Sequence, residues 1–252
     1  MSEILGNINS VESMGLVDGP GIRYVVFMQG CDLRCKYCHN PETWDKKGKC
    51  EKMSQQELVA KIERFKSYFG SDGGVTFSGG EPLLQPEFLL ECLKLCKAKG
   101  LHTALDTAGV GLGEYDDLLA YTDLVILDVK SSNATRYREI TGQDNSRFQK
   151  FCNDCQRLGK QMWIRQVIVP GINDSKACMD ELAAFIAGLK NVEKVELLPY
   201  RTIGVHKYKD LGLLPYRLDG VPEMSADECS RLEKYLHAAI AAAVREKEKI
   251  NK

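Results

Sequence analysis

Short β-branched runs alternate with amphipathic helical stretches along most of this 252-residue chain, and no other feature limits its fold as much. The strand candidates are RYVVFM, GVTFS, HTALD, LVILD, MWIRQVIV and VEKVELLPY. Helix starts are legible between them. Ser54 and Glu57 form a capping-box pair ahead of Leu58, Ile62 and Phe65. Pro86 opens a second helix, which Gly100 closes after Lys97 and Lys99. DSKACMDELAAFIAGL reads as another, and Ser225 with Glu228 starts a last one carrying Leu232, Leu236, Ile240 and Val244 on one face. Strands alternating with helices predict an α/β fold: a parallel sheet, outer helices and right-handed crossovers. About six β/α units predict a partial (β/α)6 TIM-like barrel, with a doubly wound sheet as the alternative. No linker or repeat divides the chain, so a single domain over 1–252 is expected, with its core at about 8–206 and a C-terminal helix at about 225–248.

Composition narrows the classes. A 44% hydrophobic chain of this length can bury a sizeable core. A net charge of -1 argues against broad nucleic-acid binding, which needs a basic face. MSEILGNINSVESMG lacks the basic and apolar regions of a signal peptide, and no apolar run approaches the roughly 20 residues that span a membrane. The expectation is a cytoplasmic protein, in which ten cysteines are not disulfides. Cys92 and Cys96 stand at i,i+4 spacing among Leu89, Leu93 and Leu95, which suits core packing. Cys152 and Cys155 form a C-x-x-C beside Phe148, Phe151 and Leu158; an amphipathic helix is the preferred reading over a redox pair. Cys50, Cys178 and Cys229 read as structural.

The unusual polar residues fall at strand ends. A cysteine-rich loop follows RYVVFM, SGGEP (Ser78 to Pro82) follows GVTF, and Asp106 and Thr107 close the third strand. Asp128 and Lys130 close the fourth, Arg165 lies in the fifth, and PYRTIGVHK follows the sixth. In parallel barrels the C-terminal strand ends meet at one face, where sites are built.

The loop QGCDLRCKYCHN poses the chemical question. CKYCH fits a haem-attachment pattern, but that requires export and no signal for it exists. Zinc wants four closed ligands, and Cys50 or His39 could complete a set. His39 adjoins Cys38, however, and neighbouring residues rarely reach one ion. A cubane iron–sulfur cluster has four irons, so three thiolates leave one iron open for a substrate or cofactor.

CDLRCKYC resembles the C-x3-C-x-aromatic-C signature of the radical S-adenosylmethionine (radical SAM) enzymes. VDGPGIR, CHN, SGGEPLLQ, LDTAG, DLVILDVK, WIRQVIVPG and VEKVELLPY, from about Ile8 to His206, resemble the activases of glycyl-radical enzymes within that group. The resemblance implies a barrel of the radical SAM type and a 4Fe–4S cluster held by Cys31, Cys35 and Cys38. It implies S-adenosylmethionine on the open iron, cleaved by one electron to a 5′-deoxyadenosyl radical that takes a hydrogen from a glycine Cα. The implied partner is pyruvate formate-lyase (formate C-acetyltransferase), under anaerobic conditions, with flavodoxin or ferredoxin as electron donor and the chain itself a monomer. A different glycyl-radical partner or a small-molecule substrate is the alternative.

The resemblance also implies roles residue by residue. Tyr37, Cys38 and His39 line the cofactor, and Gly79, Gly80 and Glu81 receive its ammonium group, the glycines by letting backbone approach closely. Asp106 and Asp128 face the ribose hydroxyls, with Val129 beside them, and Lys130 neutralises the cofactor carboxylate. Asp106, Thr107, Asp128 and the Ile126 carbonyl hold a monovalent cation. His206, read as a loop residue, contacts the cofactor. Asp18 and Arg165 are assigned to the substrate, with structural salt bridges as the competing role for each. The chain departs from the pattern at Arg201, where histidine is common, and at Ala108, where asparagine is usual.

Overall fold

A computed structural model describes residues 4–250. In chain order the elements are β1 (Leu5–Gly15), β2 (Arg23–Met28), β3 (Glu51–Ser54), α1 (Gln55–Glu63), β4 (Gly74–Gly79) and α2 (Pro86–Ala98). They continue with β5 (His102–Thr107), α3 (Asp116–Ala120), β6 (Leu124–Asp128), α4 (Ala134–Thr141), α5 (Ser146–Arg157) and β7 (Gln161–Ile168). The last are α6 (Lys176–Ile186), β8 (Val192–Pro199), α7 (Val205–Asp210) and α8 (Ala226–Ile250). The chain forms two compact units: Met1–Leu33, Glu42–Leu127 and Ser146–Gln161 make one; Arg34–Pro41, Asp128–Asn145 and Met162–Lys252 make the other. Among the described residues, no helix is long and apolar enough to cross a membrane.

In the first unit β2, β4, β5 and β6 pair in parallel, while β1 runs antiparallel to both β2 and β3. Val25, Val26, Val75 and Phe77 are consecutive or near-consecutive strand residues, yet all are fully buried. A parallel strand covered on both faces reads this way, as a continuous apolar run rather than an alternation. Helix α1 starts at the expected capping box, with Ser54 and Glu57 bonded reciprocally, and buries Leu58, Val59 and Ile62. Helix α2 buries Phe88, Leu89 and Leu93 with Cys92 and Cys96, and α5 buries Phe148 and Phe151 with Cys152 and Cys155. Both cysteine pairs therefore belong to apolar helix faces, and burial pushes the Cys152 thiol up to about 12.

One buried charge in this unit escaped the sequence reading. Arg23, at the start of β2, is fully buried and donates to Thr76 Oγ1 (2.9 Å) and the Val75 carbonyl (2.5 Å). Burial lowers its pKa to about 10, against the pull of Asp123 and Asp18.

In the second unit β7 and β8 pair in parallel, and the Val129 amide donates to the Arg165 carbonyl (2.8 Å), laying the chain after β6 beside β7. Helix α6, capped by Ser175, buries Met179, Leu182, Ala183 and Ile186. Helix α8 is tied down by Glu233, which accepts from the Leu197 amide of β8 (2.8 Å), and by Tyr235, which donates to Asp180 of α6 (2.8 Å).

All six anticipated strands exist, and each runs parallel to a neighbour. Strands β1 and β3 and helices α3, α4 and α7 were not anticipated. His206 consequently lies on the short helix α7 rather than in a loop, because Gly204 starts a turn that buries Tyr208.

Candidate active site

The first unit carries the β4 turn, the end of β5 and Cys31. Gly79 sits at φ +113°, and a Cβ there would lie 2.1 Å from the Met28 nitrogen; one on Gly80 would lie 2.3 Å from the Gly30 carbonyl oxygen. Only glycine allows the turn to rest on the start of the cysteine loop. The contact is sealed by the Gly80 amide donating to the Met28 carbonyl (2.9 Å) and the Glu81 amide to the Gly30 carbonyl (2.8 Å). On the other side, the Gly30 amide donates to the Thr43 carbonyl (2.8 Å) and the Cys31 amide to that of Trp44 (3.4 Å).

Glu81 is 1% exposed, and its carboxylate is turned onto the end of β5. It accepts from Thr107 Oγ1 (2.5 Å) and from the amides of Leu83 (3.2 Å), Ala108 (3.1 Å) and Val110 (3.4 Å). Burial pushes its pKa up, and these bonds, Thr107's first, push back. The sequence reading aimed this carboxylate at a ligand ammonium; here both oxygens are occupied by the protein. Position 108 contributes its backbone amide, so alanine there costs this contact nothing. Thr107 Oγ1 also accepts from the Gly109 amide (2.8 Å). Ser78 donates to Asp106 Oδ2 (2.8 Å), and Asp106 lies opposite Ile126 in the β5–β6 register. Asp18 accepts, through its backbone carbonyl, from Thr76 Oγ1 (2.7 Å).

The second unit holds the rest of the loop. The Arg34 and Lys36 amides donate to the Thr141 (2.8 Å) and Ile140 (2.9 Å) carbonyls at the end of α4. Cys38 turns back on Cys35 (3.2 Å between amide nitrogen and carbonyl), and its carbonyl accepts from Tyr208 Oη (3.0 Å). Lys207 donates to Asn40 Oδ1 (3.1 Å). A Cβ on Gly204 would lie 2.7 Å from the His39 backbone, so α7 can seat only against glycine here.

Asp128 and Lys130 form a close ion pair, and the Lys130 ammonium lies 5.4 Å from the centroid of the Tyr37 ring. Burial opposes the ammonium charge, but Asp128, Tyr37 and Cys35 together hold its pKa well above the usual lysine range. Burial pushes the Cys35 thiol up to about 12, with Lys130 pulling the other way. Two buried polar atoms here, Tyr37 Oη and Asp128 Oδ1, have no hydrogen-bond partner among the described residues. An orphaned buried polar atom is costly, so this corner has unmet hydrogen-bonding capacity that a polar ligand could satisfy.

Val129 is buried, and its carbonyl accepts from Gln166 (3.1 Å). Arg165 is 8% exposed and pairs with Glu196 (3.0 Å). His39 is exposed and donates from Nε2 to the Arg201 carbonyl (2.8 Å). His206, also exposed, bonds through Nδ1 to the Ile203 carbonyl (3.0 Å).

Sequence reasoning gave no role to Tyr208, Lys207 and Gly204, which brace the loop from α7, although Gly204 and Lys207 stand in the PYRTIGVHK stretch it singled out. Among the described residues, no three His, Cys, Asp or Glu side chains converge to hold one metal ion. A cluster makes no such demand, since each thiolate takes a different iron.

Residues 25–183 match the family model described as the Radical SAM superfamily. The chain is 54% identical over 234 residues to the pyruvate formate-lyase-activating enzyme of Clostridium pasteurianum, covering 92% of this chain and 98% of that protein. It is 42% identical over 243 residues to the Streptococcus mutans protein of the same name, covering 93% and 92%. Among solved structures, Streptococcus suis SuiB bound to its precursor peptide SuiA superposes with a TM-score of 0.66 at 17% identity, covering 86% of this chain and 45% of that one, a likeness of fold.

Proposed function

The chain belongs to the radical SAM superfamily and, within it, to the pyruvate formate-lyase-activating enzymes, and from that premise we propose that it installs the glycyl radical on pyruvate formate-lyase. Membership brings a 4Fe–4S cluster and S-adenosylmethionine as cofactors. Bound together, they supply an organic radical by one-electron cleavage of the sulfonium. The observation that carries the reading for this chain is the C-x3-C-x2-C loop, fastened by backbone bonds at Cys31 and on either side of Cys35.

The residues present suit both groups. Cys31, Cys35 and Cys38 would hold three irons through sulfur and leave the fourth to the cofactor. Cys35 would hold its iron as a thiolate, and the metal would stabilise the deprotonated form of a thiol whose burial otherwise keeps it neutral. The ligand ammonium can only donate, so it meets the carbonyl oxygens of the Gly79–Gly80 turn, while the Gly80 and Glu81 amides hold that turn on the Met28 and Gly30 carbonyls. Glu81 and Thr107 are positioning residues that hold the turn against the end of β5. Lys130 carries the charge that meets the cofactor carboxylate, and Asp128 and Tyr37 offer unused polar atoms to its hydroxyl and amine groups. Asp106, to which Ser78 donates, takes a ribose hydroxyl. His39 and His206, both exposed, and Val129 complete the contacts. A monovalent cation on Asp106, Thr107, Ile126 and Asp128, and substrate contacts by Asp18 and Arg165, belong to the same proposal.

None of the ten cysteines is in a disulfide, and a low-potential cluster needs a reducing compartment; a cytoplasmic location fits both. The test is anaerobic electron paramagnetic resonance on the reconstituted chain mixed with S-adenosylmethionine, reductant and pyruvate formate-lyase. A glycyl signal that requires all four is expected. Cofactor cleavage without that signal would hand the assignment to another substrate.

A further inference from the structure

The loop after Trp44 is an exposed basic feature near a cluster ligand. Gln29 donates to the Glu42 (2.9 Å) and Asp45 (2.7 Å) carbonyls, and the Gly48 amide closes back on Asp45 (3.0 Å). The Gly30 and Cys31 amides are bonded to Thr43 and Trp44. This segment is thus held rigidly against the first cysteine of the loop. From it project Lys46, Lys47 and Lys49, all exposed.

Two carboxylates lie beside these lysines. Asp45 Oδ1 accepts from the Lys47 amide (2.9 Å). Asp32, next to Cys31, is gripped by Lys46 (2.6 Å) and by Arg147 of α5 (2.9 Å). Lys47 and Lys49 have no side-chain hydrogen bond or ion pair among the described residues. Lys46, Lys47, Lys49 and Arg147 set against Asp32 and Asp45 leave this surface positive in a chain of net charge -1, one hydrogen bond from the Cys31 backbone.

A cluster that must be reduced before each cleavage needs an outside electron, and the electron must enter near a ligand sulfur. We propose that the Asp45–Lys49 loop, with Arg147, is the docking surface for an acidic one-electron carrier protein. The inference rests on the radical SAM reading above. In the step it serves, the reduced carrier loses one electron and the Cys31-bound cluster gains it, with no bond or proton moved. Complementary charge brings the acidic carrier to the patch and orients it there.

The test uses the full chain with Lys47→Glu and Lys49→Glu combined, two exposed positions outside the cofactor machinery. Binding of a flavodoxin, as an acidic one-electron carrier, is measured by calorimetry at about 20 and about 200 mM salt, which spans the screening range. The parent chain should bind more weakly at high salt. The variant should bind at least about tenfold more weakly at low salt and lose most of the salt dependence. In parallel, S-adenosylmethionine cleavage is driven by titanium(III) citrate or by reduced flavodoxin. The variant should match the parent with the small reductant and fall about tenfold or more with the carrier. Unchanged carrier binding, an equal loss with both reductants, or weakened binding of pyruvate formate-lyase in place of the carrier would each overturn the proposal. A parent chain that fails to cleave the cofactor even with titanium refutes the radical SAM reading instead, while the calorimetry still judges the surface.

Discussion

Thr107→Val is the sharpest probe of the buried clamp between the β4 turn and the end of β5. The substitution keeps the shape and removes one hydroxyl with two bonds: donation to Glu81 at 2.5 Å and acceptance from the Gly109 amide at 2.8 Å. A hydrogen bond to a buried charged group is worth about 1.5–3 kcal/mol, and an orphaned amide costs about 1–3 kcal/mol. The added methyl returns about 0.8 kcal/mol, so a net loss of about 3 kcal/mol is expected. For a chain of this size that lowers the melting temperature by roughly 6–12 °C. Thr107→Ser, which keeps the hydroxyl, should lose about 1 kcal/mol or less.

The loss should depend on pH. Burial raises the Glu81 pKa in the folded state, so between its unfolded value of about 4.3 and the folded value the native chain binds more protons. Its contribution to stability is therefore full below that window and falls as pH rises through it. Thr107 is the first of the groups pulling that pKa down; without it the folded value climbs and the fall extends over a wider pH range. Urea unfolding of the cofactor-free chain at several pH values should show the gap between parent and Thr107→Val widening as pH rises above the unfolded value of about 4.3. A gap constant with pH, or one under about 0.5 kcal/mol, would refute the clamp.

Further outcomes follow from the same geometry. Cys31→Ala, Cys35→Ala or Cys38→Ala should each abolish cofactor cleavage after equal reconstitution, whereas Cys152→Ala with Cys155→Ala should retain it, as iron content and product assays would show. Asp106→Asn and Asp128→Asn should keep their iron but bind S-adenosylmethionine on the order of tenfold more weakly, by equilibrium dialysis. Gly204→Ala places a Cβ 2.7 Å from the His39 backbone and should displace the loop, visible as a lower iron yield with α-helical content retained by circular dichroism.

The parallel strands were legible because two-sided burial leaves unbroken apolar runs, as in RYVVFM. Strand β1 was not, since LGNINSVESMG exposes much of its length and becomes a strand only by pairing with β2 and β3. Four-residue β3 and five-residue α3 are too short to carry a period. At the site, Asp128 and Lys130 stand two apart on one strand end, so their pairing was readable. The Tyr37 ring beside that lysine was not, nor was the commitment of Glu81 to amides from Ala108 and Val110, because long-range side-chain direction leaves no trace in local spacing.

The central claim is that these residues deliver a hydrogen-abstracting radical to a glycine Cα of pyruvate formate-lyase. The direct measurement uses pyruvate formate-lyase deuterated at its glycine Cα positions, incubated anaerobically with the reconstituted chain, reductant and unlabelled S-adenosylmethionine. Mass spectrometry of the 5′-deoxyadenosine should show one deuterium gained, in step with growth of the glycyl signal. If 5′-deoxyadenosine forms and stays unlabelled, the hydrogen comes from elsewhere and the claim is contradicted.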